Sequence, residues 1–220
     1  MEPKNPLLDD FVLELTGKRK PRVCFVPTAC GDADSYTARF LKAFPATRCR
    51  AAVLALFRRD GLDLREFLLA QDVIYVGGGN TANMLAIWRV HGVDRILREA
   101  WRQGVVLCGL SAGANCWFEA SNTDSFGPLA ALRDGLGLLA GSACPHYDGE
   151  AERRASYHRL IARGELPGGC ALDDGAAAHF IGTRLQEVVS SRPGAKAYRV
   201  TRRGGRVLEE VLPVRYLGMR

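Results

Sequence analysis

The chain has 220 residues, of which 47% are apolar, with a net charge of +6 and seven cysteines. This length allows one large α/β domain, and the interrupted apolar runs predict no membrane-spanning helix. The positive charge comes from scattered arginines rather than a basic block, which argues against nucleic-acid binding. An odd cysteine count without a Cys-x-x-Cys pair argues against a disulfide framework and a zinc knuckle; with no visible export signal, it favours the cytoplasm.

The first half of the chain alternates short β-branched runs with segments of helical spacing. The runs predicted as buried strands are 22–29, 52–57, 72–77 and 105–109. The segments predicted as helices are 35–44, 64–69, 81–90 and 93–102. Such alternation predicts an α/β fold whose mostly parallel sheet carries helices on both faces.

The C-terminal part has a different pattern. Residues 185–191 and 198–200 precede an Arg-Gly-Gly turn at 203–205, and 207–214 follow it as in a hairpin. An antiparallel edge is therefore expected there. No repeat, linker or break in composition marks a boundary, so the sequence predicts a single domain over residues 1–220.

Residues 109–113 read Gly-Leu-Ser-Ala-Gly, directly after a predicted strand and directly before residues 114–118, which can continue as a helix. This matches the Gly-x-Ser-x-Gly elbow, in which small neighbours let a strained turn close around a serine nucleophile. The helix start would place the Ala112 N–H beside charge that develops on an attacked carbonyl. The motif predicts a serine hydrolase with Ser111 as nucleophile; the alternative is a tight turn without chemistry.

A second glycine loop, Val-Gly-Gly-Gly-Asn-Thr at 76–81, also joins a predicted strand to a helix. Consecutive glycines expose backbone N–H groups at the carboxyl edge of the sheet. The loop lacks both the Gly-x-Gly-x-x-Gly and the Walker pattern, so an oxyanion role is favoured over nucleotide binding. A loop that serves packing alone remains the alternative.

The general base is sought among four histidines. His146 follows the apolar stretch 136–140 in a loop, where catalytic groups commonly lie, and is the predicted base. His91 is expected to cap a helix end, His158 to lie on the surface of a charged helix, and His179 to lie in the core or against a partner.

The base needs an acidic partner that fixes its tautomer. Asp124, Asp148, Asp173 and Asp174 are the candidates. Adjacent acids rarely both point inward, and Asp174, beside a glycine at the end of an apolar stretch, is favoured. Asp124 could instead bind substrate or support the site.

Together these segments resemble the peptidase E (aspartyl dipeptidase) family of serine peptidases, related to cyanophycinase and built on a glutamine-amidotransferase-like sheet. The matching segments are 76–81, 109–115, 122–124, 145–146 and 172–175. The resemblance implies that Ser111 is the nucleophile and His146 the base. It also implies that Gly79 and Ala112 donate to the oxyanion and that Asp174 or Asp124 is the third triad member.

The same resemblance implies a small peptide substrate, with cleavage of dipeptides that carry an N-terminal aspartate, and neither metal nor cofactor. Arg153 or Arg154 would grip the aspartate side chain, Asn80 would join the substrate-binding residues, and a homodimer could use His179 or Phe180. Two rival functions remain open. One is an esterase or amidase acting on a non-peptide substrate; the other is a non-catalytic protein that binds acidic peptides through Arg153.

Overall fold

The computed structural model describes residues 1–2, 4–59 and 61–218. Its internal contacts divide the chain into two compact units, Met1–Gly113 and Ala114–Arg220. The prediction of one domain over residues 1–220 stays a prediction, and each unit is described by itself.

The first unit is a parallel sheet with helices. Its strands are β1 (Arg22–Val26), β2 (Arg50–Val53), β3 (Val73–Val76) and β4 (Val106–Gly109), in the order β2-β1-β3-β4. Its helices are α1 (Leu7–Glu14), α2 (Asp34–Ala43), α3 (Leu64–Leu69), α4 (Thr81–His91) and α5 (Val93–Arg102), with a short 3₁₀ turn at Thr28–Cys30.

Both faces of the inner strands of this sheet, β1 and β3, are buried. Val23 and Phe25 of β1 point to one face, where Phe25 stacks on Phe40 of α2 with ring centroids 4.6 Å apart. Cys24 and Val26 alternate to the opposite face and are equally inaccessible to solvent. The apolar runs of β1 and β3 are therefore continuous because these two inner strands are covered on both sides.

Two strand ends differ from the sequence prediction. Strand 22–29 ends at Val26, since Pro27 and the turn Thr28–Cys30 follow it. Strand 52–57 lies instead at Arg50–Val53. The backbone N–H groups of Leu56 and Phe57 donate to Asp32 Oδ2, at 2.6 and 2.8 Å, rather than to a neighbouring strand.

A short helix, α6 (Ala112–Asn115), spans the boundary between the units. The predicted continuation of this helix to residue 118 is wrong. The carbonyls of Cys116 and Trp117 accept hydrogen bonds from Leu136 and Leu139, and the chain continues as a strand from Phe118.

The second unit contains α7 (Arg153–Ala162) and two sheets. The strands of the six-stranded sheet are β5 (Phe118–Thr123), β6 (Ala130–Leu132), β7 (Leu139–Cys144), β8 (Gly169–Leu172), β11 (Ala197–Arg203) and β12 (Arg206–Leu212). Their order is β12-β11-β8-β7-β5-β6, with β5, β7 and β8 parallel. The three-stranded sheet consists of β9 (Ala176–Ile181), β10 (Arg184–Ser190) and β13 (Val214–Tyr216), in the order β13-β10-β9.

The predicted hairpin is present. Strands β11 and β12 are antiparallel, and Gly204 and Gly205 between them have φ values of 54° and 78°, as a tight primed turn requires. The prediction of an α/β fold with a parallel sheet and an antiparallel C-terminal edge is confirmed. No helix within the described residues is long and apolar enough to cross a membrane.

Candidate active site

Ser111 lies on a strained turn at the end of β4. Its φ is +53°, a left-handed conformation that costs a non-glycine residue about 1–2 kcal/mol. A Cβ atom at Gly109 would overlap the Gly113 carbonyl, and one at Gly113 would overlap the Val76 carbonyl. Both glycines of the motif are therefore required by sterics, as the elbow hypothesis predicts.

The glycine loop packs against this elbow. A Cβ at Gly78 would lie 3.2 Å from Ser111 Cβ, so the two turns are neighbours. The Gly78 N–H donates to Tyr36 Oη at 3.1 Å. Within the described residues, the N–H groups of Gly79 and Ala112 have no acceptor, which leaves both available for an oxyanion.

Asn80 begins α4. Its side-chain oxygen accepts the Asn83 N–H at 2.9 Å, and its own N–H donates to the Ala29 carbonyl at 2.8 Å. The residue predicted to bind substrate thus caps the helix that follows the glycine loop.

In the second unit His146 pairs with Asp174. The distance from His146 Nδ1 to Asp174 Oδ1 is 2.7 Å, and the His146 side chain is 31% exposed. Because Nδ1 faces the carboxylate, Nε2 is the ring nitrogen left for proton transfer. His146 has a φ of +57°, so this candidate residue also lies in a strained backbone conformation.

Two neighbours hold Asp174 in this position. The Asp174 N–H donates to Asp148 Oδ1 at 2.7 Å. Gly149 leaves room for the carboxylate, because a Cβ there would overlap Asp174 Oδ2. The sequence offers Asp148 as a candidate acid but gives no signal for the requirement at Gly149, since Tyr147-Asp148-Gly149 reads as an ordinary loop.

The other candidate acids are placed differently. Asp173 is buried and exchanges backbone and side-chain hydrogen bonds with Lys196, at 3.0 and 2.9 Å. Burial raises its pKa above the usual range. Asp124 is exposed in a turn closed by the Gly127 N–H. The structure thus brings Asp174 to His146, and the catalytic roles stay predictions.

The two candidate arginines have different environments. Arg153 is 3% exposed, and its guanidinium binds Glu150 and the Asn122 carbonyl, the latter at 3.1 Å. The Arg154 side chain is 55% exposed and lies over the ring of Tyr147, 5.5 Å from its centroid. Arg154 is therefore the one with a surface that a ligand could reach.

A polar cluster beside His146 was missed by the sequence reasoning. Glu209 of β12 accepts from Tyr147, His158 and Arg154. Burial is the largest influence on the pKa of Glu209 and raises it, but these three donors together lower the pKa below its ordinary value. His158, expected at the surface, is instead half-buried, 2.9 Å from Tyr147 Oη.

The remaining histidines are outside this arrangement. His91 is the last residue of α4, followed by Gly92 at a φ of 71°. His179 faces Glu187 at 3.5 Å, and Phe180 packs on Phe118. No group of three metal-ligating side chains occurs in the part of the chain that the structure describes.

Comparison with known proteins assigns the chain to a family. The sequence pattern described as "Peptidase family S51" matches residues 1–188. The chain belongs to peptidase family S51. A Bacillus subtilis (strain 168) protein described as "Uncharacterized peptidase YgaJ" is 53% identical over 99% of this chain and 94% of its own. Peptidase E of Pasteurella multocida (strain Pm70) is 30% identical over 82% of this chain and 79% of its own.

Membership of family S51 makes the chain a peptidase, and so a hydrolase, and confirms the resemblance to peptidase E. A peptidase structure from an acI-B1 actinobacterium shares the fold, with a TM-score of 0.68 and 19% identity over 95% of this chain and 89% of that one. A structure of a peptidase E protein from Listeria monocytogenes EGD-e has a TM-score of 0.55 and 20% identity, over 93% of each chain.

Proposed function

We propose that this family S51 peptidase is a serine peptidase that hydrolyses short peptides, above all dipeptides with an N-terminal aspartate. The observation that carries the proposal is Ser111 itself, in a left-handed conformation on a glycine-dependent elbow beside the Gly79 loop. Strain of this kind persists where the surrounding structure enforces it, typically at active sites. The relatives named peptidase E support a peptide as the substrate.

In the proposed acylation step, Ser111 Oγ attacks the scissile carbonyl while His146 Nε2 takes the hydroxyl proton. Asp174, bound to His146 Nδ1, holds the tautomer and stabilises the imidazolium. The Gly79 and Ala112 N–H groups stabilise the oxyanion. His146 then returns the proton to the leaving amine.

In the proposed second step, water attacks the acyl-enzyme with His146 again as base, which restores Ser111. No step is assigned to a metal or a cofactor. The fixed hydrogen bond between His146 and Asp174 supports the same base for both steps.

For the aspartate side chain, Arg154 is the favoured partner. Its side chain is 55% exposed, and its guanidinium lies over the Tyr147 ring and pairs with Glu209, so it offers a cation that is held in place and that a substrate carboxylate can still reach. Arg153 is 3% exposed and pairs with Glu150, so it is assigned to support. Asn80 and Asp124 complete the proposed substrate-binding set. We also place the enzyme in the cytoplasm, in line with seven free cysteines.

The test is hydrolysis of dipeptides with Asp, Glu, Asn, Ala or Leu at the first position, by wild type and Ser111→Ala. We expect Asp-X to be cleaved fastest and the Ser111→Ala rate to fall by at least about 10³-fold. Ser35→Ala, an exposed serine on α2, is the matched control and should keep the full rate.

Each other outcome has a distinct meaning. Serine-dependent cleavage confined to other peptides would keep the mechanism and replace the aspartate specificity. Serine-dependent turnover of esters alone would favour the esterase. Peptide cleavage that survives in Ser111→Ala would refute the serine mechanism. Binding of acidic peptides without cleavage, and without labelling of Ser111 by an organophosphonate, would favour a binding protein.

A further inference from the structure

Asp32 is a third strained residue in the part of the chain that the structure describes. Its φ is +57°, and the other non-glycine residues with a left-handed φ are Ser111 and His146. Such a conformation persists only where neighbouring contacts enforce it. Neither a motif nor a composition signal singles out this residue.

The carboxylate of Asp32 ties together the loops that follow β1 and β2. Its Oδ2 accepts the backbone N–H groups of Leu56 and Phe57, at 2.6 and 2.8 Å. Its Oδ1 is buried and has no hydrogen-bond partner among the described residues. A buried carboxylate oxygen without a partner is destabilising, so this residue is held at a cost in stability.

The loop that Asp32 anchors is the one against which the glycine loop packs. The Ala29 carbonyl accepts the Asn80 N–H, and a Cβ at Gly79 would overlap that same carbonyl. Thr28 Oγ1 also accepts the indole N–H of Trp88 on α4, at 3.2 Å. Hydrogen bonds from Asp32 to Pro27 and from Gly31 to Thr28 close residues 27–32 into one turn.

The Gly79 N–H therefore lies between two fixed points. On one side the Gly78 N–H is bound to Tyr36, and on the other the Asn80 N–H is bound to Ala29. Asp32 holds the Ala29 carbonyl in place indirectly, because its hydrogen bonds hold the turn that carries Ala29. A looser turn would leave the Gly79 N–H free to rotate away from an oxyanion.

We propose that Asp32 is a positioning residue for the oxyanion donor Gly79, acting through the turn 27–32. This inference rests on the proposed function. Preorganised donors act mainly on the transition state, so the loss of Asp32 should lower kcat and leave KM nearly unchanged.

The test compares Asp32→Gly, which keeps the left-handed backbone and removes the acceptor, with Asp32→Asn, which keeps both. We expect kcat to fall about 10–100-fold in Asp32→Gly with KM within about 3-fold, and Asp32→Asn to recover most of the rate. Asp34→Asn, an exposed acid on α2, should match wild type.

A second measurement uses the aldehyde and alcohol analogues of the first residue of the dipeptide cleaved fastest. The aldehyde forms a tetrahedral oxyanion with Ser111 and the alcohol does not. Asp32→Gly should weaken the binding of the aldehyde by the same factor by which kcat falls, and it should leave the binding of the alcohol unchanged. If Asp32→Gly does not fold, Thr28→Val, which frees the same turn from Trp88, should show the same pattern at about 3–10-fold.

A folded Asp32→Gly, or in its place Thr28→Val, that keeps the wild-type kcat would overturn the inference, as would equal weakening of aldehyde and alcohol. An Asp32→Asn variant as slow as Asp32→Gly would overturn it as well. If Ser111→Ala retains the wild-type rate, the proposed function itself fails. The two failures are therefore distinguishable.

Discussion

The two units of the molecule build their candidate groups in opposite ways. In the first unit, Ser111 and the donor loop depend chiefly on close backbone approach, since side chains at Gly109, Gly113 or Gly79 would overlap carbonyls. In the second unit, His146 is placed by side-chain hydrogen bonds, through Asp174 and then Asp148. The first arrangement should fail when atoms are added, and the second when hydrogen bonds are removed.

The sheets differ less sharply. In the first sheet the inner strands β1 and β3 are buried on both faces, which leaves their shape little room for change, whereas β2 and β4 are partly exposed. In the second unit, strands such as β12 alternate between exposed and partly buried positions. The His146 site can be built on a partly exposed sheet, because the hydrogen bonds of His146 with Asp174 and of Asp174 with Asp148 fix its geometry.

The largest effect should come from Asp174→Asn. The variant keeps the shape of the side chain but favours the wrong tautomer of His146, so kcat/KM for the best dipeptide should fall on the order of 10³-fold. Steady-state kinetics on the folded variant measures this. Asp34→Asn, at an exposed acid of α2, is the matched control and should keep kcat/KM within about 2-fold. Asp124→Asn, at an exposed turn residue assigned to substrate binding, should act mainly on KM and keep kcat within about 2-fold.

The opposite ranking would identify Asp124 as the third triad member. Asp173→Asn separates the remaining candidate. It should alter stability, because Asp173 holds the Lys196 backbone, and leave kcat nearly unchanged. A loss in kcat equal to that of Asp174→Asn would contradict the side-chain route from Asp174 to His146.

The backbone arrangement is tested by Gly113→Ala. The added Cβ would overlap the Val76 carbonyl, so we expect a loss of about 2–4 kcal/mol in the free energy of unfolding, with activity lost in proportion to folding. Urea denaturation measures the free energy. Gly104→Ala is the control, because Gly104 has a φ of +85° and open space around it.

Gly104→Ala should cost only the left-handed strain, about 1–2 kcal/mol. If both variants lose the same amount, the close approach of the Gly113 and Val76 backbones does not govern the elbow, and the contrast between the two units is lost.

The sequence predicted the first unit well because its rules are local. Apolar runs covered on both faces, separated by helical spacing, allow one arrangement, and Gly-x-Ser-x-Gly marks the turn around Ser111. The boundaries shifted where side chains intervene, as when Asp32 binds the N–H groups of Leu56 and Phe57. Nothing in the local sequence indicates that bond.

The second unit was predicted in part. The Gly204-Gly205 turn was identified, but the helix after Ser111 was predicted to continue to residue 118. It ends at Asn115, because long-range pairing of Cys116 and Trp117 with residues 136–139 decides the conformation there. Asp174 could be favoured over Asp173 only by its neighbouring glycine. The different environments of Arg153 and Arg154 depend on their partners. Arg153 binds Glu150, three residues away, whereas Arg154 binds Glu209, which is 55 residues away.

The smallest predicted effect tests the cluster around Glu209, which lies next to the His146 loop through Tyr147. Three donors hold the pKa of Glu209 below its ordinary value despite burial. A carboxyl with a lowered folded-state pKa stabilises the protein above its unfolded-state pKa, and this contribution is lost as pH falls through the folded-state value.

Glu209→Gln should therefore lower the free energy of unfolding by about 1–2 kcal/mol near pH 7, and the difference from wild type should shrink as the pH falls through the lowered folded-state pKa of Glu209. Urea denaturation across this range measures it. Glu210→Gln is the matched control, because that side chain is 69% exposed and lies 3.8 Å from Arg199. A deficit that stays constant with pH would mean that Glu209 acts through packing, and the second unit would then resemble the first in how it holds its groups.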